Sequence, residues 1–178
     1  MSDPRIARSR SAVCDATLDL LRESGYSGLS IDAVSKRSGV ARTTIYRHYD
    51  SVAALALDAM ECLRPPEDAV VTEDPVDDLR SQLRRIIATV RTGVLPTVIE
   101  GAARDPEFRR LRHEYVSIRR AETRRILERL IDAGLLSADA DLEIVMDMVV
   151  APIFYRTLLS GDPTDDEFVE AVLRQLLR

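Results

Sequence analysis

The sequence predicts an all-α protein of about nine helices, with a small N-terminal helical domain followed by a larger helical domain. Apolar residues recur at intervals of three and four along most of the 178 residues. Gly and Pro mark the ends of these apolar stripes, and no alternating stretch is long enough for a convincing strand. This length is sufficient for a small module joined to a larger helical domain.

The first three predicted helices form a helix-turn-helix pattern. A helix over residues 6–24 ends before Gly25, which suits the position after a helix C-terminus. Ser30 can cap a second short helix by accepting a hydrogen bond from a free backbone N–H. Gly39 provides the left-handed turn before a third helix, at about 42–49.

The third helix carries hydrogen-bond donors on the side opposite its inward anchor, Ile45. An arginine fork can bond guanine in the major groove, and a threonine methyl can contact a thymine methyl. The outward residues are Arg42, Thr43, Thr44, Tyr46, Arg47 and His48. Many helix pairs with a glycine turn never contact DNA, so the pattern alone leaves an exposed polar helix as the alternative.

The charge distribution is compatible with a DNA-binding N-terminal segment. Residues 1–50 contain eight basic and six acidic side chains, whereas the whole chain has a net charge of −5. Arg8 lies near the start of the first helix, where a positive charge opposes the helix dipole. An anionic partner would explain this position better than solvent does.

Residues Gly25 to Leu57 resemble the N-terminal DNA-binding domain of the TetR/AcrR family of bacterial regulators. The matching residues are Gly25-Tyr26, Leu29-Ser30-Ile31, Val34, Gly39-Val40, Thr44-Ile45-Tyr46-Arg47-His48-Tyr49 and Leu55. The resemblance implies a homodimeric regulator, expected to be a repressor, that binds a palindromic operator and is released by a small effector.

The resemblance also assigns roles to individual residues. It implies that Arg42 and Thr43 read bases, and that Thr44, Tyr46 and His48 contact phosphates or the groove. From these positions we expect sequence reading by Arg42, Thr43 and Tyr46. The complete predicted DNA-binding set is Arg8, Ser30, Lys36, Arg42, Thr43, Thr44, Tyr46, Arg47 and His48.

Two positions differ from the family pattern. Val52 stands where the family usually has a phosphate-binding Lys near the start of the fourth helix, and Ala41 stands where a capping Ser is common. We therefore expect the N-terminal arginines and Arg47 to supply more of the grip on phosphates.

The predicted domain boundary follows the fourth helix. Residues 1–50 form the DNA-binding domain, 51–64 a connecting helix ended by Arg64-Pro65-Pro66, and 65–178 a ligand-binding and dimerisation domain. In the second domain, helices are predicted after Asp74-Pro75 and Asp105-Pro106, with a short apolar segment at 94–103 between them.

The last helices are predicted from a proline and a capping motif. The eighth helix spans about 139–160 and contains Pro152, which should kink it. The ninth begins at Thr164, because Thr164 and Glu167 have the spacing of a capping box. Arginines along the seventh helix alternate with Glu114, Glu122 and Glu128, which favours a solvated ion-paired face over a nucleic-acid surface.

The eighth and ninth helices carry more apolar surface than one core needs, which indicates a homodimer. The predicted interface residues are Val150, Ile153, Leu158, Phe168, Val172 and Leu176. A pocket for a mostly apolar effector is expected by resemblance, and a filled core explains its residues equally well. The predicted lining residues are Val94, Leu95, Val98, Ile99, Phe108, Leu111, Tyr115, Met146, Val149 and Phe154.

Other functions find less support in the sequence. Cys14 and Cys62 have no Cys or His neighbour at ligand spacing, so both are predicted to be buried packing residues, and no metal, cofactor or catalytic residue is predicted. No signal peptide or membrane span is recognised, so we expect a cytoplasmic protein. An all-α enzyme and a ligand-independent nucleoid protein are the alternatives.

Overall fold

In the computed structural model, which describes residues 4–63 and 72–177, these residues form nine α-helices and no strand. The helices are α1 (Pro4–Ser24), α2 (Ile31–Ser38), α3 (Arg42–His48), α4 (Val52–Cys62), α5 (Pro75–Arg91), α6 (Leu95–Arg104), α7 (Pro106–Asp132), α8 (Leu142–Tyr155) and α9 (Asp166–Leu176). A 3₁₀ turn (Tyr26–Gly28) follows α1, and a π-helical turn (Arg156–Ser160) follows α8. The predicted all-α fold is confirmed.

Local signals placed most helix ends correctly. Gly25 and Gly39 adopt φ values of 70° and 72°, the left-handed region in which glycine has no steric penalty. The Ser30 hydroxyl accepts from the Ala33 N–H, and Asp74 caps α5 before Pro75. The predicted end of the fourth helix at residues 64–66 lies outside the described residues.

The start of the ninth helix differs from the prediction. Asp165, and not Thr164, is the N-cap, and its carboxylate accepts from the Phe168 N–H. Thr164 is buried, and its carbonyl accepts from Arg91. The Asp165 carboxylate caps the helix in place of the Thr164 hydroxyl because its negative charge also interacts favourably with the positive end of the helix dipole.

The described chain divides into two compact units whose composition differs from the predicted boundary. The first comprises residues 4–63 together with 93–115, and the second comprises 72–92 with 116–177. Thus α6 and the start of α7 belong to the same unit as the helix-turn-helix, although they had been predicted to belong to the ligand-binding domain.

The core of the first unit surrounds α1. Buried residues from α2, α3 and α4 converge on it, including Val34, Ile45 and Leu55, which are almost completely inaccessible to solvent. Val98 of α6 and Phe108 of α7 belong to the same hydrophobic cluster. Burial of these side chains fixes the orientation of α3, which would be too short to be stable alone.

The second unit is built from α5, α8, α9 and most of α7. Leu83, Leu127, Met146, Ile153 and Val169 are buried in it. Ion pairs surround this core: Arg120 contacts Glu143 and Asp147, and Arg80 contacts Glu170. The predicted ion-paired character of the α7 arginines agrees with these contacts and with the Arg110–Glu114 pair.

A candidate DNA-binding surface

The surface presented by α3 is set by how α2 and α3 are anchored. Val34 and Ile45 face inward and are 0% and 1% exposed. Ser35 Oγ donates to the Val40 carbonyl, which closes the turn between the helices. Ala41 makes no side-chain cap, so the first turn of α3 leaves backbone N–H groups without a side-chain acceptor from this position.

Most of the predicted DNA-contacting residues lie on the exposed side of this anchored pair. Arg42, Thr43, Tyr46, Arg47 and His48 are exposed, as are Arg8, Ser30 and Lys36. The Tyr46 ring is 56% exposed, which is unusual for a side chain with so much apolar surface. Thr44 is the exception among the α3 residues, because it is half-buried.

Arg42 is held by an acidic residue of α2. Its Nε lies 2.8 Å from Oδ1 of Asp32, and both side chains are more than half exposed. Exposed pairs of this kind contribute little stability, so a base or phosphate can replace the carboxylate at small cost.

A groove of about 450 Å³ separates the start of α1 from α3. Ile6, Ser9 and Arg10 line it from α1, and Thr44, Arg47 and His48 line it from α3. The groove explains why Thr44 is only half-buried. Its guanidinium, imidazole and hydroxyl groups are the donors that suit phosphate oxygens.

The end of α3 is fixed by a network centred on Asp58 of α4. Tyr49, which ends α3, donates from its hydroxyl to Oδ2 of Asp58 at 2.5 Å. Arg10 of α1 donates to the same carboxylate through Nε at 3.0 Å and Nη2 at 2.5 Å. One carboxylate therefore connects α1, α3 and α4.

The contacts around Asp58 keep its carboxylate charged and the Tyr49 phenol neutral. Burial acts to raise the pKa of Asp58, but the hydrogen bonds from Arg10 and Tyr49 outweigh it and the pKa is lowered. Burial and the hydrogen bond to Asp58 raise the pKa of Tyr49 far above its usual value. The phenol therefore keeps the proton that it donates.

Sequence reasoning missed this network, because its members are far apart in the chain. Arg10 and Asp58 are separated by 48 positions, and neither belongs to the predicted DNA-binding set. A usable signal was present in the spacing: Arg10 and Cys14 lie one helical turn apart, as do Asp58 and Cys62.

The two cysteines are paired, which corrects the prediction that both are isolated packing residues. Cys14 of α1 and Cys62 at the end of α4 form a disulfide with their Cα atoms 6.4 Å apart. A carboxylate oxygen of Asp58 lies near both sulfurs, within 4.8 Å. The prediction failed because it considered neighbours in sequence, whereas α1 and α4 bring distant positions together.

Part of the predicted effector pocket is filled core. Val94, Val98 and Phe108 are buried in the first unit, and the Phe108 and Tyr26 ring centroids are 4.6 Å apart. Gly101 lies against the Tyr26 ring, where a Cβ would come within 2.7 Å of a ring carbon. At these three pocket positions the filled-core alternative holds.

The other pocket residues occupy varied environments. Leu95, Leu111, Tyr115 and Phe154 are half-buried, and Ile99 is exposed. Met146 and Val149 are buried in the second unit. For these residues the pocket stays a prediction.

The predicted dimer interface needs correction at two residues. Ile153 and Phe168 are buried inside the second unit, where Phe168 also lies beneath the Arg156 guanidinium. Val150, Val172 and Leu176 are half-buried, Leu158 is exposed, and their role stays a prediction.

An exposed apolar face on α8 and the π-helical turn had been missed. Ile144, Met148, Tyr155 and Leu159 are 55%, 63%, 59% and 77% exposed. Their spacing of four, seven and four residues places them along one side of a helix. Large exposed apolar patches of this kind mark interaction surfaces.

No single helix in the described ranges is long and apolar enough to cross a bilayer, and only α5 and α6, taken together as a bent pair, meet the requirement by length and composition.

Comparison with known families gives two matches that together span most of the chain. Residues 13–59 match the family described as bacterial regulatory proteins, tetR family. Residues 70–176 match the tetracyclin repressor-like C-terminal domain.

Individual proteins agree with these matches. The chain is 28% identical over 171 residues to the HTH-type transcriptional regulator YdeS of Bacillus subtilis, covering 93% of this chain and 86% of that one. The crystal structure of the TetR family regulator SCO0332 aligns at 30% identity with a TM-score of 0.66, covering 94% and 95% of the two chains.

A third protein shares the fold at lower identity. The transcriptional regulator FadR from Bacillus subtilis, in complex with stearoyl-CoA, has a TM-score of 0.72 at 16% identity and covers 94% and 97% of the two chains.

Proposed function

The chain belongs to the TetR family of bacterial transcriptional regulators and is not an enzyme, and from this premise we propose that it is a repressor released from DNA by an effector. In this proposal a homodimer binds a palindromic operator in the cytoplasm, and a small, mostly apolar compound releases it. The observation that carries the proposal is the exposed donor set on α3, anchored from behind by buried Val34 and Ile45.

The two sides of α3 have different tasks in this proposal. Arg42, Thr43 and Tyr46 read base edges, since an exposed arginine fork and an exposed tyrosine project from the helix. Arg47 and His48, together with Thr44 in the groove beside α1, hold phosphate oxygens. Arg8 adds a further phosphate contact from α1.

Arg10 is one of the N-terminal arginines expected to help hold phosphates, and it joins this phosphate-binding group. Its guanidinium lines the groove and is already oriented by Asp58, so it needs little ordering when a phosphate approaches. This contact would compensate in part for Val52, which stands where the resemblance to the family leads us to expect a phosphate-binding lysine.

A homodimer is supported by the apolar face of α8. Two copies of this face, related by a twofold axis, would bury Ile144, Met148, Tyr155 and Leu159 against one another. A twofold dimer also matches a palindrome, because each half-site then meets one α3 at a spacing of about 34–36 Å or a multiple of it.

The proposed effector is a compound with a long apolar part. FadR binds stearoyl-CoA, and this chain shares its fold, which supports a compound with a long apolar part. Release requires the effector to bind the DNA-free conformation more tightly than the DNA-bound one, because only a difference in affinity shifts an equilibrium.

Selection of genomic fragments by the purified protein, followed by footprinting, tests the proposal. We expect a short palindrome protected on both half-sites. Arg42→Ala should weaken binding by roughly 5- to 150-fold, since one bidentate base contact is worth about 1–3 kcal/mol. Arg110→Ala removes an equally exposed arginine that pairs with Glu114 and serves as the matched control.

The result separates the proposal from its alternatives. Scattered protection without a common sequence would indicate a nucleoid protein that packages DNA. Equal losses of DNA affinity for Arg42→Ala and Arg110→Ala would contradict the proposed role of α3 in reading bases. Titration of the operator complex with long-chain acyl compounds then tests whether such an effector releases the DNA.

A further inference from the structure

The disulfide between Cys14 and Cys62 joins the middle of α1 to the last residue of α4 and encloses the whole helix-turn-helix. The two positions are separated by 48 residues, and their Cα distance of 6.4 Å lies in the range that disulfides span. We propose that this pair is a reversible thiol–disulfide site, oxidised by peroxides, whose state changes the affinity of the protein for DNA. The DNA part of this inference rests on the proposed function.

The surroundings of the pair connect it to α3. Arg10 and Cys14 lie one turn apart on α1, and they face Asp58 and Cys62, which lie one turn apart on α4. The ion pair and the disulfide are thus consecutive links between the same two helices. Because Tyr49 at the end of α3 also bonds to Asp58, the disulfide tightens the support on which α3 rests.

The two sulfurs differ in exposure in the way that a two-step oxidation needs. Cys62 is half-buried, whereas Cys14 is 2% exposed. A peroxide therefore meets Cys62 first, while Cys14 stays protected at bonding distance. This arrangement pairs an accessible attacking thiol with a resolving thiol.

The reaction balances with a peroxide as the only oxidant. The Cys62 thiolate attacks one peroxide oxygen, the O–O bond breaks, and the protein gains a sulfenic acid while an alcohol or water leaves. The Cys14 sulfur then attacks the Cys62 sulfur, the S–O bond breaks, and the hydroxyl leaves as water with the Cys14 thiol proton. Two thiols lose two electrons, and an external dithiol restores them by exchange.

The expected location of the protein favours a regulatory role for this bond. A repressor acts where the chromosome is, and cytosolic thiols there are kept reduced, so disulfides in that compartment are usually transient or redox-sensing. The chain contains two cysteines, and both take part in this bond. A disulfide that served only to stabilise the fold would stay reduced in such a compartment and could not serve that purpose.

A metal site is the competing use of the same atoms. The two sulfurs and an Asp58 oxygen lie within 4.8 Å of one another, so the reduced pair could offer three donors. Both Asp58 oxygens, however, already accept from Arg10 and Tyr49, and the Arg10 guanidinium would repel a bound cation. The thiol–disulfide pair requires no change in these bonds.

Thiol counting on the full-length protein tests the chemistry. After reduction we expect two titratable thiols per chain, none after one equivalent of hydrogen peroxide, and two again after a dithiol. Cys14→Ser should leave Cys62 as a sulfenic acid that dimedone labels, because the resolving sulfur is missing. Thiols that stay free, or stoichiometric uptake of Zn²⁺ by the reduced protein in place of oxidation, would overturn the assignment.

DNA affinity tests the consequence. On a genomic fragment selected by the reduced wild type, we expect the oxidised protein to bind roughly three- to tenfold more tightly, because the cross-link pre-organises the support of α3. Cys62→Ser, at a half-buried position that tolerates a smaller side chain, should bind like the reduced protein and ignore peroxide.

The outcomes distinguish this inference from the proposed function. Equal affinity of oxidised and reduced protein would overturn the regulatory role while leaving the DNA-binding function intact. Failure of both forms to bind any fragment would overturn the proposed function and the link to DNA affinity, and the thiol count would still decide whether the pair is a reversible site.

Discussion

The hydroxyl of Tyr49 lies 2.5 Å from Oδ2 of Asp58, so the residue that ends α3 is hydrogen-bonded to the middle of α4. This bond stabilises the position of α3, and both residues also line the groove between α1 and α3. Substitution of Tyr49 therefore measures how much this bond contributes to stability.

Tyr49→Phe removes the phenolic donor and keeps the ring. We expect the free energy of unfolding to fall by about 1–3 kcal/mol, since hydrogen bonds to charged groups are stronger than average. Tyr46→Phe makes the same change on an exposed ring and should stay within about 0.5 kcal/mol of wild type. Urea unfolding at neutral pH measures both, and equal losses would contradict the role of the Tyr49–Asp58 bond.

Acid unfolding tests the charge on Asp58. Its pKa is lowered in the folded protein, so the folded state binds this proton less readily than the unfolded chain does. The stabilisation is complete above the ordinary aspartate pKa of about 4 and is lost as the pH falls through the lowered folded value. The Asp58→Asn variant should be less stable than wild type at neutral pH, and its free energy of unfolding should fall less than that of wild type on acidification. Parallel stability curves from pH 7 to pH 3 would refute this.

Gly101→Ala tests the close packing of α6 on Tyr26. Helix propensity alone would make alanine more stable by up to about 1 kcal/mol. A Cβ at this position, however, would lie 2.7 and 2.9 Å from Tyr26 ring carbons, and overpacking of a core typically costs about 1–3 kcal/mol. We therefore expect a net loss of stability in thermal or urea unfolding.

A double variant shows whether the loss is steric. In Tyr26→Ala/Gly101→Ala, the new methyl group no longer meets the Tyr26 ring and keeps one close neighbour, Cδ1 of Phe108 at 3.0 Å, so the Gly101→Ala substitution should cost less than it does in wild type. Additive losses would mean that the glycine is required for another reason.

The exposed face of α8 predicts the effect of charge on self-association. Ile144→Glu combined with Met148→Glu should convert the proposed dimer to a monomer in sedimentation experiments at micromolar concentration, because each copy would bury unpaired carboxylates. Ile99→Glu introduces one such carboxylate at an exposed apolar residue of α6 and should leave association unchanged. A dimer that survives the double substitution would place the interface elsewhere.

Arg8 tests the contribution of α1 to phosphate binding. Arg8→Ala should reduce the slope of log affinity against log salt concentration by about 0.9, the value expected for one phosphate contact. Arg110→Ala should leave the slope unaltered, since this arginine pairs with Glu114 on α7. An unchanged slope for Arg8→Ala would exclude the contact.

The elements that sequence predicted well are those determined within a few residues. Ser30, Gly39 and Asp74 act through bonds to backbone groups two to four positions away, or through their own backbone angles. The helix-turn-helix could therefore be assigned with its cap and its turn. The choice between Thr164 and Asp165 as a cap shows the limit of such local rules, because the cap depends on where the chain folds back.

The features that sequence did not predict depend on distant pairs. Arg10 meets Asp58, and Cys14 meets Cys62, across 48 positions in each case. Likewise, Tyr26 of the first unit takes Phe108 as its packing partner, so residues predicted to line a pocket complete a core instead. Such contacts follow from the packing of helices, which periodicity alone does not specify.

The ion pair between Arg42 and Asp32 has a consequence for changing the DNA specificity of this protein. Replacing Arg42 with an uncharged residue would leave the Asp32 carboxylate without its cation beside the phosphates of a bound duplex. The repulsion would lower affinity for every sequence and would hide any new base preference at position 42. A library that retargets the protein to another operator should therefore vary residues 32 and 42 together.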